Sequence, residues 1–336
     1  MQAVVCDRPG SLSLVQRPDP RPRADEVLVR VRRMGVCGTD FHIYGGHHPF
    51  LEYPRVMGHE LSGEVVSAPA GSGLAVGGAV YIVPYLSCGV CRACRKGLTN
   101  CCRRISVLGV HQDGGMAEYL AVPVGNVVAA GDLPLDEAAM VEFLAIGAHG
   151  ISRGGVTEHD RVLVVGSGPI GMGAVISAKC RGAHVTVVDG RQDRLDFAAA
   201  SLGADATDRL APDLEAMFGD RTDGAFFDVV VDATGNIAAM QRGLNFVGHG
   251  GRYVLLSVVR QDITFPDPEF HKRETTLLAS RNAVPVDFAE VVRQIHAGRV
   301  PTKALATHRA PLAEAPGKFD AWLKPEAGVI KALIEI

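Results

Sequence analysis

A cysteine, a histidine and two glutamates in the first half of the chain have the side-chain types that bind a catalytic metal ion. Cys37 lies 22 residues before His59, Glu60 follows His59 directly, and Glu142 lies in a later apolar stretch. Thiolate, imidazole and carboxylate are the three ligand types that a catalytic Zn²⁺ takes from a protein while its fourth position stays open for substrate. Alone, such a cysteine or histidine is more often a buried small side chain or a hydrogen-bonded core residue. Together they predict a catalytic zinc site.

A second group of cysteines has the spacing of a closed metal site. Five cysteines fall within 15 residues, and Cys88, Cys91 and Cys94 would be joined by either Cys101 or Cys102, between which spacing does not decide. Four thiolates around Zn²⁺ leave no open position, which is typical of structural zinc. The alternatives are a redox-active thiol group and a zinc knuckle that binds RNA through neighbouring basic residues. Those basic residues lack interleaved aromatic side chains for base stacking, so the sequence favours structural zinc.

A glycine-rich turn indicates a dinucleotide-binding site. It lies between the apolar run 161–165 and a helix-compatible stretch from 172 to 181, and it consists of Gly166, Ser167, Gly168, Pro169, Ile170 and Gly171. In such a turn the first glycine permits a tight bend, the second lets the backbone approach a pyrophosphate, and the third lets the helix pack closely on the strand. The proline falls where the first helical turn tolerates a missing N–H. We therefore expect phosphates at the start of this helix.

The end of the next predicted strand indicates which dinucleotide binds. Asp189 lies 18 residues beyond Gly171. A carboxylate there accepts hydrogen bonds from both ribose hydroxyls and repels a 2′-phosphate, which favours NAD over NADP. Arg191 and Arg194 lie close by in the sequence and argue partly for NADP, and Arg194 is a further candidate to contact the cofactor.

These groups need two kinds of fold to position them. A chain of 336 residues corresponds to about two domains. Residues 1–145 read as short strands with frequent turns, whereas later apolar runs alternate with helical stretches and suit a parallel sheet covered by helices. The predicted fold class is α/β, with a mainly-β domain at 1–147 and 285–336 and a doubly wound domain at 148–284. The apolar tail, 328–336, is expected to pair as a strand with the first domain.

Composition narrows the possible partners and location. With 47% apolar and 21% charged residues the chain can bury a large core, and a net charge of −3 gives no global field to recruit nucleic acid or a membrane surface. We expect a small-molecule partner, no nucleic acid and no membrane. Charge occurs too early at the N-terminus for a secretory signal, so we expect a cytoplasmic protein. Eight cysteines in such a chain point to metal binding or catalysis rather than to a disulfide framework.

The order and spacing of these motifs resemble the zinc-dependent medium-chain dehydrogenases over essentially the whole chain. The resemblance rests on Cys37-Gly-Thr-Asp, Gly58-His-Glu, the four-cysteine lobe and the turn at 166–171. Within that superfamily the chain resembles the polyol, threonine and sugar-acid dehydrogenases. Further stretches are especially similar to bacterial L-galactonate or L-gulonate 5-dehydrogenases, namely 43–50, 53–60, 107–111 and 280–282.

The resemblance implies a GroES-like mainly-β catalytic domain, a Rossmann domain and roles for particular residues. Cys37, His59 and Glu142 would bind the catalytic zinc, with Glu60 able to exchange with a water or ligand. Thr39 and His42 match the positions that pass the substrate proton outward. In the lobe the family's pattern selects Cys102 and leaves Cys101 spare. Relatives are usually dimers or tetramers, so a homo-oligomer is expected.

The implied reaction is oxidation of a secondary alcohol. Hydride leaves an alcohol carbon easily only from the alkoxide, which Zn²⁺ favours by lowering the hydroxyl pKa, and NAD⁺ accepts the hydride. The predicted substrate is polyhydroxylated, for example L-galactonate or L-gulonate oxidised at carbon 5. Candidate substrate residues are His48, Arg104 and Arg281, since an arginine fork suits a carboxylate. The alternatives are a sorbitol-like polyol dehydrogenase, an L-threonine dehydrogenase and a catalytically silent NAD-binding redox sensor.

Overall fold

A computed structural model describes residues 1–47 and 51–336 of the chain. These residues separate into two units with their own internal packing: unit 1 is Met1–Glu142 with Thr302–Ile336, and unit 2 is Phe143–Pro301. This division differs from the predicted domain boundaries chiefly in residues 285–301, which belong to unit 2. The predicted substrate residue His48 lies outside the described residues.

The first part of unit 1 is mainly β, as its turn-rich sequence predicts. Its strands are β1 (Gln2–Arg8), β2 (Ser11–Gln16), β3 (Glu26–Val36), β4 (Arg55–Val56), β5 (Glu60–Ser67), β6 (Ala79–Ile82), β7 (Tyr85–Leu86), β8 (Ser106–Val107), β9 (Tyr119–Pro123) and β10 (Val127–Ala129). Its helices are α1 (Gly38–Tyr44), α2 (Arg92–Arg95) and α3 (Leu135–Arg153). The division between the units falls within α3.

Unit 2 alternates strands with helices. In chain order its elements are β11 (Arg161–Val165), α4 (Pro169–Cys180), β12 (His184–Asp189), α5 (Gln192–Ser201), β13 (Ala206–Arg209), α6 (Leu214–Arg221), β14 (Phe227–Asp232), α7 (Ile237–Gly243), β15 (Val247–Leu255), α8 (Asp267–Lys272), β16 (Thr276–Ala279) and α9 (Pro285–His296). The strands form a parallel sheet in the order β13-β12-β11-β14-β15-β16. This order is that of a doubly wound fold.

The chain then returns to unit 1 and completes its main sheet. The returning elements are α10 (Thr302–Leu305), β17 (Ala306–Pro311), α11 (Ala315–Trp322) and β18 (Lys331–Glu335). The sheet order is β10-β6-β5-β3-β18-β17, with β9 also paired to β3. β18 runs antiparallel to β3, so the predicted return of the tail is confirmed. β7 pairs with β8, and this small sheet brackets the cysteine lobe.

Burial explains the main sheet of each unit. In β3 the alternating residues Val27, Val29 and Val31 are fully buried, which puts one face of the strand against the unit 1 core. In unit 2 the central strands β11 and β14 contain consecutive buried valine and leucine residues, because helices cover both faces of a parallel sheet. None of the described helices has the length and apolar character needed to cross a membrane.

Residues 285–301 join unit 2 because α9 packs there by its apolar face. Phe288, Val291 and Ile295 are buried. In addition, Asp287 Oδ2 lies 2.8 Å from His149 Nδ1 of α3 and accepts the N–H of Val284 at 2.9 Å. These contacts of α9 lie within unit 2.

Candidate active site and dinucleotide site

Cys37, His59 and Glu60 come together in unit 1 as a group of possible metal ligands. One ligand atom from each lies within 4.8 Å of the others. Cys37 is the N-cap residue of α1, and Glu60 begins β5 directly after His59. β3 and β5 pair antiparallel with Gly35 opposite Glu60, which brings the two distant segments together. A sulfur, a nitrogen and a carboxylate oxygen at this separation fit a catalytic Zn²⁺.

A missing side chain makes room for Glu60. A Cβ on Gly35 would lie 2.1 Å from Glu60 Oε2, so a larger residue there would displace the carboxylate. Lys331 of β18 holds the carboxylate from the other side, with Nζ donating to Oε1 at 2.6 Å and to Oε2 at 2.7 Å. Both side chains are fully buried. Burial alone would lower the pKa of Lys331, but Glu60 and then Cys37 raise it above its ordinary value.

Asp40 supports two of the possible ligands. Its Oδ2 accepts the backbone N–H of Cys37 at 2.9 Å, and its Oδ1 lies 4.0 Å from His59 Nδ1. Neither Asp40 Oδ1 nor His59 Nδ1 has a hydrogen-bond partner among the described residues. Burial raises the pKa of Asp40, which His59 partly opposes. A carboxylate beside one imidazole nitrogen orients the ring so that the other nitrogen can bind a metal.

Glu142 lies near this group but is held by a tyrosine. It projects from α3, is 3% exposed, and is not one of the three grouped ligands. Its Oε1 accepts a hydrogen bond from the Tyr85 hydroxyl of β7, while its Oε2 has no hydrogen-bond partner among the described residues. Burial raises the pKa of Glu142 to about 7; His59 opposes this shift and Glu60 adds to it. The direct ligation of zinc by Glu142 stays a prediction.

The remaining predicted residues of this centre lie on or near α1. Thr39 is partly buried and His42 is exposed. Both belong to the short helix that begins after Cys37, so one element carries a ligand at its N-cap and both predicted proton carriers. Their roles in proton transfer stay predictions.

The cysteine lobe forms a second group of possible ligands. The sulfur atoms of Cys88, Cys91, Cys94 and Cys102 lie within 4.8 Å of one another. Cys102 Sγ accepts the backbone N–H of Cys88 at 3.3 Å, whereas Cys101 is exposed and outside the group. The structure thus decides between the two adjacent cysteines in favour of Cys102.

Hydrogen bonds in the lobe favour the charged form of some of these thiols. The N–H of Val90, followed by the Arg104 guanidinium, lowers the pKa of Cys88 to about 5. The N–H of Cys94 is the largest cause that lowers the pKa of Cys91 to about 7, whereas burial raises the pKa of Cys94 to about 11. Crowded sulfur ligands of this kind fit a bound cation that would stabilise every thiolate.

The predicted substrate arginines lie in different units. The Arg104 side chain contacts Cys88 in the lobe, and its backbone N–H donates to Cys102 Sγ at 3.3 Å. Arg281 is an exposed residue of unit 2 between β16 and α9. The contact of Arg104 is therefore with the structural cysteines.

The glycine-rich turn of unit 2 has the backbone that a dinucleotide requires. Gly166 has a φ of +91°, and a Cβ there would lie 3.0 Å from Thr234 Cγ2. Gly168 has open space beside it, which leaves room for a phosphate at the start of α4. A Cβ on Gly171 would lie 1.9 Å from the Gly166 carbonyl oxygen, so the third glycine is needed for the turn itself. α4 begins at Pro169, three residues before the predicted helical stretch, and the proline lies in its first turn as predicted; Ile170 follows it.

A cavity of about 440 Å³ opens beside this turn, and all its lining residues belong to unit 2. They include Gly166, Gly168, Asp189, Leu210, Thr234 and Arg242. Asp189 accepts the N–H of Ser167 at 2.6 Å and that of Arg191 at 2.8 Å, which fixes its carboxylate at the end of β12. Arg194 is buried in α5. The open turn and the fixed carboxylate fit a dinucleotide.

Sequence reasoning missed Lys331, Asp40 and Tyr85 at the first centre. Lys331 is a lone charge in an apolar tail, and Asp40 stands within the Cys37-Gly-Thr-Asp segment, so each left a weak signal. Tyr85 precedes the cysteine lobe by three residues but belongs to no motif considered there. Strand pairing and helix packing are what give these three residues their places.

Comparison with known proteins gives matches along most of the chain. A model of the alcohol dehydrogenase GroES-like domain matches residues 23–132, and a model of the zinc-binding dehydrogenase family matches residues 169–297. The L-galactonate-5-dehydrogenase of Escherichia coli K12 is 41% identical over 99% of this chain and 98% of its own length. The sorbitol dehydrogenase of Halalkalibacterium halodurans is 32% identical over 97% and 96%. The crystal structure of the rspB alcohol dehydrogenase of Escherichia coli CFT073, complexed with NADH, has a TM-score of 0.94 at 30% identity and covers 100% of this chain and 99% of that one.

Proposed function

We infer the activity from the family, since the chain belongs to the zinc-binding alcohol dehydrogenases, and we propose that it oxidises a secondary hydroxyl of a sugar acid with NAD⁺. The first choice of substrate is L-galactonate, oxidised at carbon 5. The observation that carries this choice is 41% identity to an L-galactonate-5-dehydrogenase over 99% of the chain. L-gulonate is the next aldonate to consider.

We propose that Cys37, His59 and Glu60 hold the catalytic zinc, with Glu142 close by. When bound, the zinc supplies the Lewis acidity that lowers the pKa of a substrate hydroxyl. The Asp40 carboxylate lies beside the His59 ring, 4.0 Å from Nδ1, and Lys331 holds the buried Glu60 carboxylate by an ion pair. The four cysteines of the lobe would hold a structural zinc that replaces a hydrophobic core there.

The proton released from the substrate needs a route to water, and α1 offers one. The hydroxyl of Thr39 is partly buried, whereas the imidazole of His42 is exposed. We propose that the proton passes from Thr39 to His42 and then to solvent. An imidazole suits this role because its ordinary pKa lies near neutral pH.

In unit 2 the glycine-rich turn and Asp189 would bind the dinucleotide, which accepts the hydride on its nicotinamide ring. The turn leaves open space at Gly168 for the pyrophosphate. Asp189 would accept hydrogen bonds from the ribose hydroxyls and repel a 2′-phosphate, which favours NAD over NADP. The guanidinium of Arg191 makes an ion pair with the Asp193 carboxylate at 2.6 Å, so its charge is already engaged by that carboxylate.

A polyol is the second candidate substrate, because a sorbitol dehydrogenase is 32% identical over 97% of the chain. A carboxylate on the substrate distinguishes the two candidates, and Arg281 is the exposed arginine that we propose binds it. We also propose a homo-oligomer, either a dimer or a tetramer, which light scattering on the purified protein would check.

The test is NADH formation, followed by absorbance at neutral to alkaline pH, over L-galactonate, L-gulonate, sorbitol and L-threonine. We expect the highest kcat/KM with L-galactonate and a loss on the order of 1000-fold in Cys37→Ala, since that variant removes a ligand of the metal that activates the hydroxyl. Preference for sorbitol or L-threonine would move the assignment to those substrates. NADH binding without turnover of any compound would contradict the proposal and leave a redox sensor.

A further inference from the structure

The hydrogen bond between Tyr85 and Glu142 has no part in the reaction as described so far. Tyr85 is 6% exposed and Glu142 is 3% exposed, so both groups are removed from bulk water. The Tyr85 hydroxyl donates to Oε1, and Oε2 accepts no hydrogen bond from the described residues. A buried carboxylate oxygen without a hydrogen-bond partner costs free energy unless a cation or a water molecule binds to it.

The backbone around Tyr85 is well fixed. Tyr85 pairs with Val107 across the small β7–β8 sheet. The Asn126 side chain donates to the Val83 carbonyl oxygen at 2.7 Å and to the Tyr85 carbonyl oxygen at 3.2 Å. The lobe begins three residues later at Cys88. The hydroxyl of Tyr85 is therefore presented from a rigid support, whereas Glu142 is a long side chain with several rotatable bonds.

We propose that Tyr85 is a positioning residue that fixes the Glu142 carboxylate by Oε1 and leaves Oε2 as the oxygen available to the catalytic zinc or to a water beside it. This inference rests on the proposed function, because it assumes a metal at the Cys37 group. A carboxylate that is already oriented needs no rearrangement when the metal or substrate arrives. The hydrogen bond from Tyr85 would therefore determine how the Glu142 carboxylate is oriented toward the metal.

A purely structural role is the competing explanation, in which Tyr85 only satisfies a buried carboxylate. The two explanations differ in what Tyr85→Phe changes. Loss of a structural bond lowers stability alone. Loss of a positioning bond also changes the environment of the metal and the rate of the reaction.

The experiment compares the cobalt-substituted wild type with Tyr85→Phe, using the visible absorption bands that report cobalt ligation. The spectrum of Cys37→Ala, whose cobalt would lie in the lobe, is subtracted. In Tyr85→Phe we expect the cobalt absorption bands to shift. We also expect kcat to fall about 10- to 100-fold, which is the range for a lost hydrogen bond to a charged group, and KM to change less. The double variant Tyr85→Phe/Glu142→Ala should be no slower than Glu142→Ala alone, because neither protein has a side chain at 142 for Tyr85 to position.

Tyr44→Phe is the matched control. The Tyr44 hydroxyl donates to Asp320 Oδ1 at 2.7 Å, and Tyr44 is 7% exposed in the same unit. This variant loses the same kind of bond, so it should lower stability while its cobalt spectrum and kcat stay those of the wild type.

A wild-type cobalt spectrum and kcat in Tyr85→Phe would overturn the proposal. If Tyr85→Phe does not fold, Glu142→Gln decides, because its side-chain carbonyl still accepts from Tyr85. An unchanged cobalt spectrum in Glu142→Gln would mean that there is no metal-linked carboxylate for Tyr85 to position. The spectra are recorded without substrate, so a failed substrate panel leaves this result independent of the proposed function.

Discussion

Glu60 and Lys331 form a pair in which each residue depends on the other. A buried carboxylate without a counter-charge would take up a proton, and a neutral carboxyl group is a poor zinc ligand. Lys331 Nζ reaches both oxygens of Glu60 and also donates to the Val36 carbonyl oxygen at 3.2 Å. The lysine thereby supplies the counter-charge of a carboxylate in an apolar part of unit 1. Gly35 completes the arrangement, since only a residue without a Cβ leaves space for Glu60.

Removing the lysine charge should therefore destabilise the protein strongly. We expect Lys331→Met to lower the free energy of unfolding by about 3–5 kcal/mol, the cost of leaving one partner of a buried pair uncompensated. Guanidinium chloride unfolding measures this change in wild type and variant after removal of the metal, because a bound zinc would itself compensate the charge of Glu60. The control is Lys318→Met, whose exposed lysine lies 3.5 Å from Glu314 and should contribute about 1 kcal/mol or less. Equal effects of the two substitutions would contradict this account.

Helix α3 is attached to strands of unit 1 by its first turn, and it carries Glu142 further along. Asp136 accepts from Arg33 of β3 and pairs with Arg309 of β17, both at 2.6 Å. A carboxylate also suits the N-terminal end of a helix dipole. This fixed end lies about one and a half turns before Glu142. The ion pairs of Asp136 thus help to set the place of Glu142 in unit 1.

The attachment of α3 should make stability depend on pH. Burial raises the pKa of Asp136, but the two guanidinium groups, Arg309 first, outweigh burial and hold it below its ordinary value. Its stabilising contribution is therefore present above the pKa of the unfolded chain and is lost as pH falls through the lower pKa of the folded protein. We expect Asp136→Asn to destabilise by about 1 kcal/mol at pH 7 and the gap from wild type to close on acidification.

Urea unfolding between pH 7 and pH 3 measures that gap. The control is Glu64→Gln, because Glu64 lies 3.9 Å from Arg32 and makes only a long, partly exposed ion pair. A wild-type advantage that stays constant with pH, or one that Glu64→Gln reproduces, would show that the charge of Asp136 does not attach the helix.

At the scale of the whole molecule the chemical tasks divide between the two units. Both groups of possible metal ligands lie in unit 1, and the glycine-rich turn with its cavity lies in unit 2. The family assignment and the α/β fold class are confirmed by the two family matches and by the sheet topology. Metal loss should therefore affect unit 1 first and leave dinucleotide binding largely unchanged.

Metal analysis tests this division. We expect about two zinc ions per chain in the wild type and about one in either Cys91→Ser or Cys37→Ala. Cys91→Ser should also lower Tm by several degrees, because the lobe depends on its metal in place of a core, whereas Cys37→Ala should change Tm less. NADH binding, followed by fluorescence, should persist in both variants. A wild type with a single zinc would leave one of the two ligand groups without its predicted role.

The sequence by itself determined those features that short segments encode. The glycine turn, the cysteine spacing and the apolar runs of unit 2 each depend on neighbouring residues, so their geometry follows from local backbone rules. The predicted family, the doubly wound sheet and the pairing of the tail all came from such patterns. The substrate choice and the roles of Thr39 and His42 remain predictions.

Only the tertiary structure decided which distant residues share a site. Lys331 reaches Glu60 because β18 pairs with β3. Tyr85 of β7 reaches Glu142, which lies in the part of α3 that belongs to unit 1. Cys102 is buried in the group of four sulfur atoms, whereas its neighbour Cys101 is exposed and outside that group, and Arg104 contacts Cys88. Such contacts depend on strand register and helix packing, which the whole chain sets and which no short segment records.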